Sequence, residues 1–221
     1  TPIPRTMMMS IYGDMDTSRL LEKPLDRKKI ITLSKPENKI DDLWPFIRRK
    51  IENNEQIFWV CPLIEDSNKL DFSSTAKLFK LLNQKFNKKV GIIHGSLSQD
   101  EKEKVLKEFL NKKISILVST TVIEVGIDFP NATVIIIENV NKFGLAQLHQ
   151  LRGRIGRGSK PGTCILMFKN QLSQNAKKRI QILKMSDDGF YIAEEDMKLR
   201  GYGDIIGFKQ SGIKLFKIAD P

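Results

Sequence analysis

The chain has 221 residues, 40% hydrophobic and 29% charged, with 37 Lys plus Arg against 26 Asp plus Glu and a formal net charge of +11. This length and apolar content suit one large domain with an appendage and exclude a disordered chain, and no apolar run approaches the roughly 18 residues of a membrane span. The basic excess suits a polyanionic partner, although solvated Lys serves solubility equally well.

The chain opens Thr1-Pro2-Ile3-Pro4-Arg5-Thr6, with neither an initiator Met nor the basic-then-apolar order of a signal peptide, so it reads as a piece of something longer. Residues 1–26, rich in Met and turn residues, have no obvious place in a sheet. From about residue 28, short β-branched runs alternate with segments of helical period, the pattern of βαβ units and a parallel sheet covered on both faces. Strands are expected near Ile30–Leu33, Ile57–Leu63, Val90–Ile93, Ile114–Ser119, Val134–Glu138 and Cys164–Phe168. Helices are expected between them, at about Lys39–Glu52, Ser74–Phe86, Gln99–Asn111 and Phe143–Arg152. The third is the clearest: Val105, Leu106, Phe109 and Leu110 make one apolar stripe, and Ser98 followed by Glu101 makes a capping box. The α/β doubly wound core should end near residue 170. Two further helices, Ser173–Ser186 and Asp187–Arg200, precede a tail containing Gly201, Gly203, Gly207 and Gly212, where Gly suits positive φ or close approach.

Two cysteines, Cys61 and Cys164, each lie in an apolar run and read as buried thiols in a reducing compartment. With only His94 and His149 beside them, no zinc constellation can be assembled, and no metal ligands are assigned. The strongest local signal runs from Gln147 to Gly158, QLHQLRGRIGRG. On a helical register Gln150, Arg154 and Arg157 share one stripe, with Gly153 and Gly156 between them. Gly in a helix interior costs about 1 kcal/mol against Ala, which suggests that something approaches this backbone. Paired guanidiniums beside bare backbone suit phosphate oxygens and the stabilisation of a transferring γ-phosphoryl group. A solvated basic loop with turn glycines remains the alternative from spacing alone.

Gln150 to Arg157 resembles motif VI, QxxGRxGR, of superfamily 2 helicases, and its surroundings resemble the RecG family of bacterial branched-DNA helicases. Thr1 to Thr6 resembles the end of motif III, TATPIPRT. Trp59 to Glu65, WVCPLIE, is similar to motif IV, and His94-Gly95 to the HG element that follows it. Val118 to Pro130, VSTTVIEVGIDFP, resembles motif V, and Gly144 to Gly158 resembles the lead-in and motif VI. Leu199-Arg200-Gly201 with Gly207 to Gly212 resembles the TRG motif shared with the transcription-repair coupling factor Mfd, with Tyr202 in place of the usual Pro and Asp204 in place of Glu.

The resemblance implies a RecA-like, P-loop NTPase-like parallel sheet with helices on both faces, followed by a helical hairpin and loop. Residues 1–26 would be the residual end of a first helicase lobe, 27–170 the second lobe and 171–221 the TRG hairpin and tail. Arg154 and Arg157 would be arginine fingers, with Gln150 beside them, and Gly126 and Asp128 would line the nucleotide cleft. Asp128 before Pro130 also suits a turn opener, but the carboxyl ends of parallel strands are where such sheets bind ligands. Thr120, His94 and Gly95 would contact DNA; a satisfied strand-end hydroxyl and a structural turn are their plain alternatives. Arg200 and Gln210 would be the coupling pair through which the hairpin senses motif VI, with Asp204 beside them.

No segment reads GxxxxGK[ST], and no acidic Walker B strand is present. In the family both belong to the first lobe, so ATP and Mg2+ would be held mainly there, and this chain alone should not hydrolyse ATP. The expected partners are branched double-stranded DNA and the first lobe and wedge domain of the same protein, with no membrane, in a cytoplasmic bacterial monomer. The rival readings are the equivalent part of Mfd and a non-enzymatic nucleic-acid binding module.

Overall fold

Both faces of the central strands are apolar, and this decides the layering of the computed structural model, which describes residues 28–62, 68–87, 89–120, 129–169 and 171–200, apart from the side chains of 68–74 and 200. Six strands, β1 (Ile31–Pro36), β2 (Gln56–Val60), β3 (Val90–Ile93), β4 (Ile116–Ser119), β5 (Ala132–Ile137) and β6 (Thr163–Phe168), form one all-parallel sheet in the order β1-β6-β5-β2-β4-β3. This is the RecA-like α/β class expected. The α-helices among the described residues are α1 (Trp44–Glu52), α2 (Asn68–Lys85), α3 (Gln99–Leu110), α4 (Leu145–Arg152), α5 (Gln174–Met185) and α6 (Gly189–Arg200).

Successive strand side chains alternate between the two faces of the sheet. Phe58, Leu117, Ile135 and Ile137 pack on one face with Phe109 of α3, Leu145 of α4, and Ile182 and Leu183 of α5. On the other face Ile57, Trp59, Val134, Ile136 and Ile165 pack with Ile47 of α1 and Leu82 of α2. The last helix among the described residues, α6, returns beside α5, and its Ile192 joins the first of these clusters. No helix of the described residues is long and apolar enough to cross a membrane.

Several boundaries differ from expectation for local reasons. The helix expected over Lys39–Glu52 divides into a 3-10 stretch, Glu37–Leu43, and α1, with Lys39 outside helical geometry (φ −108, ψ 26). Pro45 lacks the N–H that a continuous helix would use, and it sits in the first turn of α1, where none is needed. β2 ends at Val60 rather than Leu63, just before Cys61-Pro62, because Pro62 has no N–H for the ladder. The helix expected from Phe143 begins at Leu145, after a 3-10 turn over Val140–Lys142. The expected capping box of α3 is present: the Glu101 amide donates to Ser98 Oγ at 3.3 Å, and the Ser98 amide to Glu101 Oε2 at 2.9 Å. Residues 1–26, Gly126, Asp128, Asp204, Gln210 and the Arg200 side chain lie outside the described residues.

Candidate functional site

The position of the arginine pair follows from the path of α4. After β5 the chain turns through Asn139 (φ 48), and Gln147 Oε1 accepts from the Gly144 amide at 2.9 Å to start α4. The helix then runs back along the sheet, because the segment after it returns to the beginning of β5: the Gly156 amide donates to the Ala132 carbonyl at 3.2 Å. The helical stripe expected for Gln150, Arg154 and Arg157 does not extend that far. α4 stops at Arg152, the Arg154 amide donates to the Leu151 carbonyl at 3.0 Å in a tight turn, and Gly156 takes φ +68. Gln150 is thus helical, while both arginines lie on the loop beyond it.

That loop is pinned by the chain's own backbone. Ile155 is fully buried, a Cβ on Gly158 would run into the Pro130 carbonyl, and Lys160 Nζ donates to the Asn53 carbonyl at 3.1 Å. Gly158 therefore serves an internal approach, and Gly156 serves a left-handed turn. Near the loop, buried Glu55 accepts from Thr133 and from Lys50, the latter at 2.9 Å. Burial pushes the Glu55 carboxyl up, but those hydrogen bonds and the charges of Lys50 and Lys160 outweigh it and hold the group below the usual carboxylate value.

Arg157 is exposed and its Nε donates to the Gly153 carbonyl at 3.3 Å; Arg154 is half-buried. Burial, then the charge of Arg157, draws the Arg154 pKa down from its ordinary value. Two like charges held together on a fixed loop favour an anion between or beside them.

The residues expected at DNA sit at the other end of the strands. His94 and Gly95 follow β3 and Thr120 follows β4, so all three lie at the carboxyl ends. Gly95 is exposed with open space where a Cβ would stand, whereas Thr120 is only 7% exposed and its amide donates to the Ile93 carbonyl at 3.3 Å. The arginine loop lies at the amino ends, and Gly126 and Asp128, for which the carboxyl-end expectation is made, lie outside the described residues. Strands of this length separate the two ends by about 13–20 Å. Beside the carboxyl ends, Glu138 accepts from the Trp59 indole at 2.9 Å, and burial, reinforced by the charge of Glu37, raises its pKa. Burial likewise raises both thiols, that of Cys164 to about 12, which disfavours their thiolate forms.

One residue that sequence reasoning misses is Arg152. It follows Leu145 and Leu148 on the buried side of α4 and is 3% exposed. A charged residue at an apolar helical position is the available signal.

Residues 38–159 match the family model described as helicase conserved C-terminal domain, and residues 186–221 match ATP-dependent DNA helicase RecG, domain 3, C-terminal. The chain is 44% identical over its whole length to the ATP-dependent DNA helicase RecG of Bacillus subtilis, covering 32% of that protein, and 45% identical to that of Thermotoga maritima, covering 28%. A solved structure of RecG bound to a three-way DNA junction superposes with a TM-score of 0.76 at 43% identity, over 92% of this chain and 27% of that one. The chain thus spans about a third of the length of the curated relatives it matches.

Proposed function

The chain belongs to the helicase conserved C-terminal domain family, and we propose that it forms the second RecA-like lobe and coupling hairpin of an ATP-driven helicase that remodels branched double-stranded DNA at stalled forks and Holliday junctions. Residues 1–26 would close the first lobe, 27–170 form the second, and 171–221 form the hairpin and tail. The observation that carries this reading is the loop, fixed against the start of β5, that carries both Arg154 and Arg157 at one end of the sheet. With Gln150, these arginines would meet the phosphates of ATP held on the first lobe, where Mg2+ also belongs. Gly126 and Asp128 would line the same cleft. Thr120, His94 and Gly95 would face the DNA backbone from the opposite end, and Arg200, Gln210 and Asp204 would couple the hairpin to the motor. The protein would act as a cytoplasmic monomer. The similarity of residues 186–221 to RecG's own C-terminal module favours this reading over Mfd.

An arginine without a nucleotide cradle accelerates hydrolysis only in the assembled enzyme. The purified chain should therefore show no ATP hydrolysis above background, and should bind DNA weakly with an affinity that falls steeply as salt rises. Robust hydrolysis by the chain alone would contradict the assignment.

A further inference from the structure

β2 and β5 are neighbours in the sheet, yet the chain leaves them in opposite directions, from β2 towards β3 and from β5 towards β6. Such a point at the carboxyl ends of parallel strands is where open α/β sheets take ligands. Glu138, the residue after β5, ties its two sides together. Its amide donates to the Val60 carbonyl at 2.9 Å, its Oε1 accepts from Trp59 Nε1 at 2.9 Å, and its Oε2 lies 3.8 Å from Cys61 Sγ, a weak donor. Trp59, Val60 and Cys61, in sequence at the end of β2, thus all meet one residue. Trp59 is fully buried, so loss of its acceptor would leave the indole N–H unpaired away from water. The indole is also held from its other side, where its ring stacks on Trp44 of α1 with centroids 6.0 Å apart.

The ties continue across the sheet. The Cys61 amide donates to the Ser119 carbonyl at 2.8 Å, at the end of β4, and the next residue, Thr120, donates its amide to the Ile93 carbonyl at 3.3 Å, at the end of β3 beside His94. A row of hydrogen bonds therefore leads from Glu138 to Thr120 and His94, while the arginine loop lies at the opposite end of the strands.

We propose that Glu138 is a positioning residue for DNA binding: by fixing the end of β2 it sets the backbone that places Thr120 and His94 against the DNA. This rests on the reading of Thr120 and His94 as residues that face the DNA backbone. Glu138 then governs how tightly the fork is held, and the phosphate chemistry at the far end of the sheet proceeds without it. Gln keeps an oxygen that accepts from the indole, whereas Leu fills a similar space with no acceptor.

The test uses the full-length protein with Glu138→Leu, Glu138→Gln and Trp59→Phe, and with His94→Ala combined with Thr120→Val as a control. Misplacement of a contacting group by a change away from it costs up to about a hundredfold. Glu138→Leu should accordingly raise the fork concentration for half-maximal ATP hydrolysis by about tenfold, with the rate at saturating fork within about threefold of wild type, and Glu138→Gln should restore most of the loss. Trp59→Phe should act in the same direction, and combining it with Glu138→Leu should give less than the product of the two effects, because both remove the same hydrogen bond. Wild-type fork dependence in Glu138→Leu, an equal fall in its saturated rate, or a loss that Glu138→Gln leaves unrepaired would overturn this inference alone when the control variant still weakens fork binding. Unchanged fork dependence in the control would overturn the reading beneath it as well. Should Glu138→Leu fail to fold, Trp59→Phe decides, and wild-type fork dependence in that variant would overturn the proposal.

Discussion

Replacing Arg154 or Arg157 with Ala in the full-length protein should lower DNA-stimulated ATP hydrolysis by about two to four orders of magnitude, the scale of a lost arginine finger, while fork binding stays largely intact. The reason lies in the loop. Ile155, Gly156 and Gly158 hold its backbone against the start of β5, so a truncated side chain cannot be replaced by movement of a neighbour. Steady-state turnover with saturating fork DNA measures the effect, and near-normal rates in both variants would contradict the assignment.

Phe109→Ala should destabilise the lobe by about 3–5 kcal/mol, the range for truncating a buried aromatic. Phe109 is fully buried, with its ring centroid 5.2 Å from that of Phe58 and 5.3 Å from that of Phe129. Its carbonyl also accepts from Gln56 Nε2 at 2.5 Å, which fastens α3 to the irregular start of β2. Phe129 directly precedes Pro130, the residue against which Gly158 packs, so the cavity should also loosen the arginine loop. Denaturant unfolding measures the first effect. Leu110→Ala, on the same helix but 40% exposed, is the comparison and should cost under about 1 kcal/mol.

The sheet is legible in the sequence because its central strands bury both faces and so read as continuous apolar runs, and α3 because Ser98 and Glu101 mark its start. What escapes depends on contacts distant in sequence. Helical periodicity puts Gln150, Arg154 and Arg157 on one stripe, but the carbonyls of Ala132 and Pro130 decide where the chain leaves the helix. The separation of the arginine loop from His94, Gly95 and Thr120 depends on α4 running back along the sheet, which no local pattern records. The partners of Arg152 come from β1 and α5, 120 and 31 residues away. The roles of the site residues come from the family resemblance, and the structure adds which of them are fixed and at which end of the sheet.

The most direct test is a structure of the full-length protein with fork DNA and a non-hydrolysable ATP analogue. A guanidinium nitrogen of Arg154 or Arg157 should lie within about 3.2 Å of a γ-phosphate oxygen. Both guanidiniums directed away from the nucleotide, onto DNA or into solvent, would contradict the account.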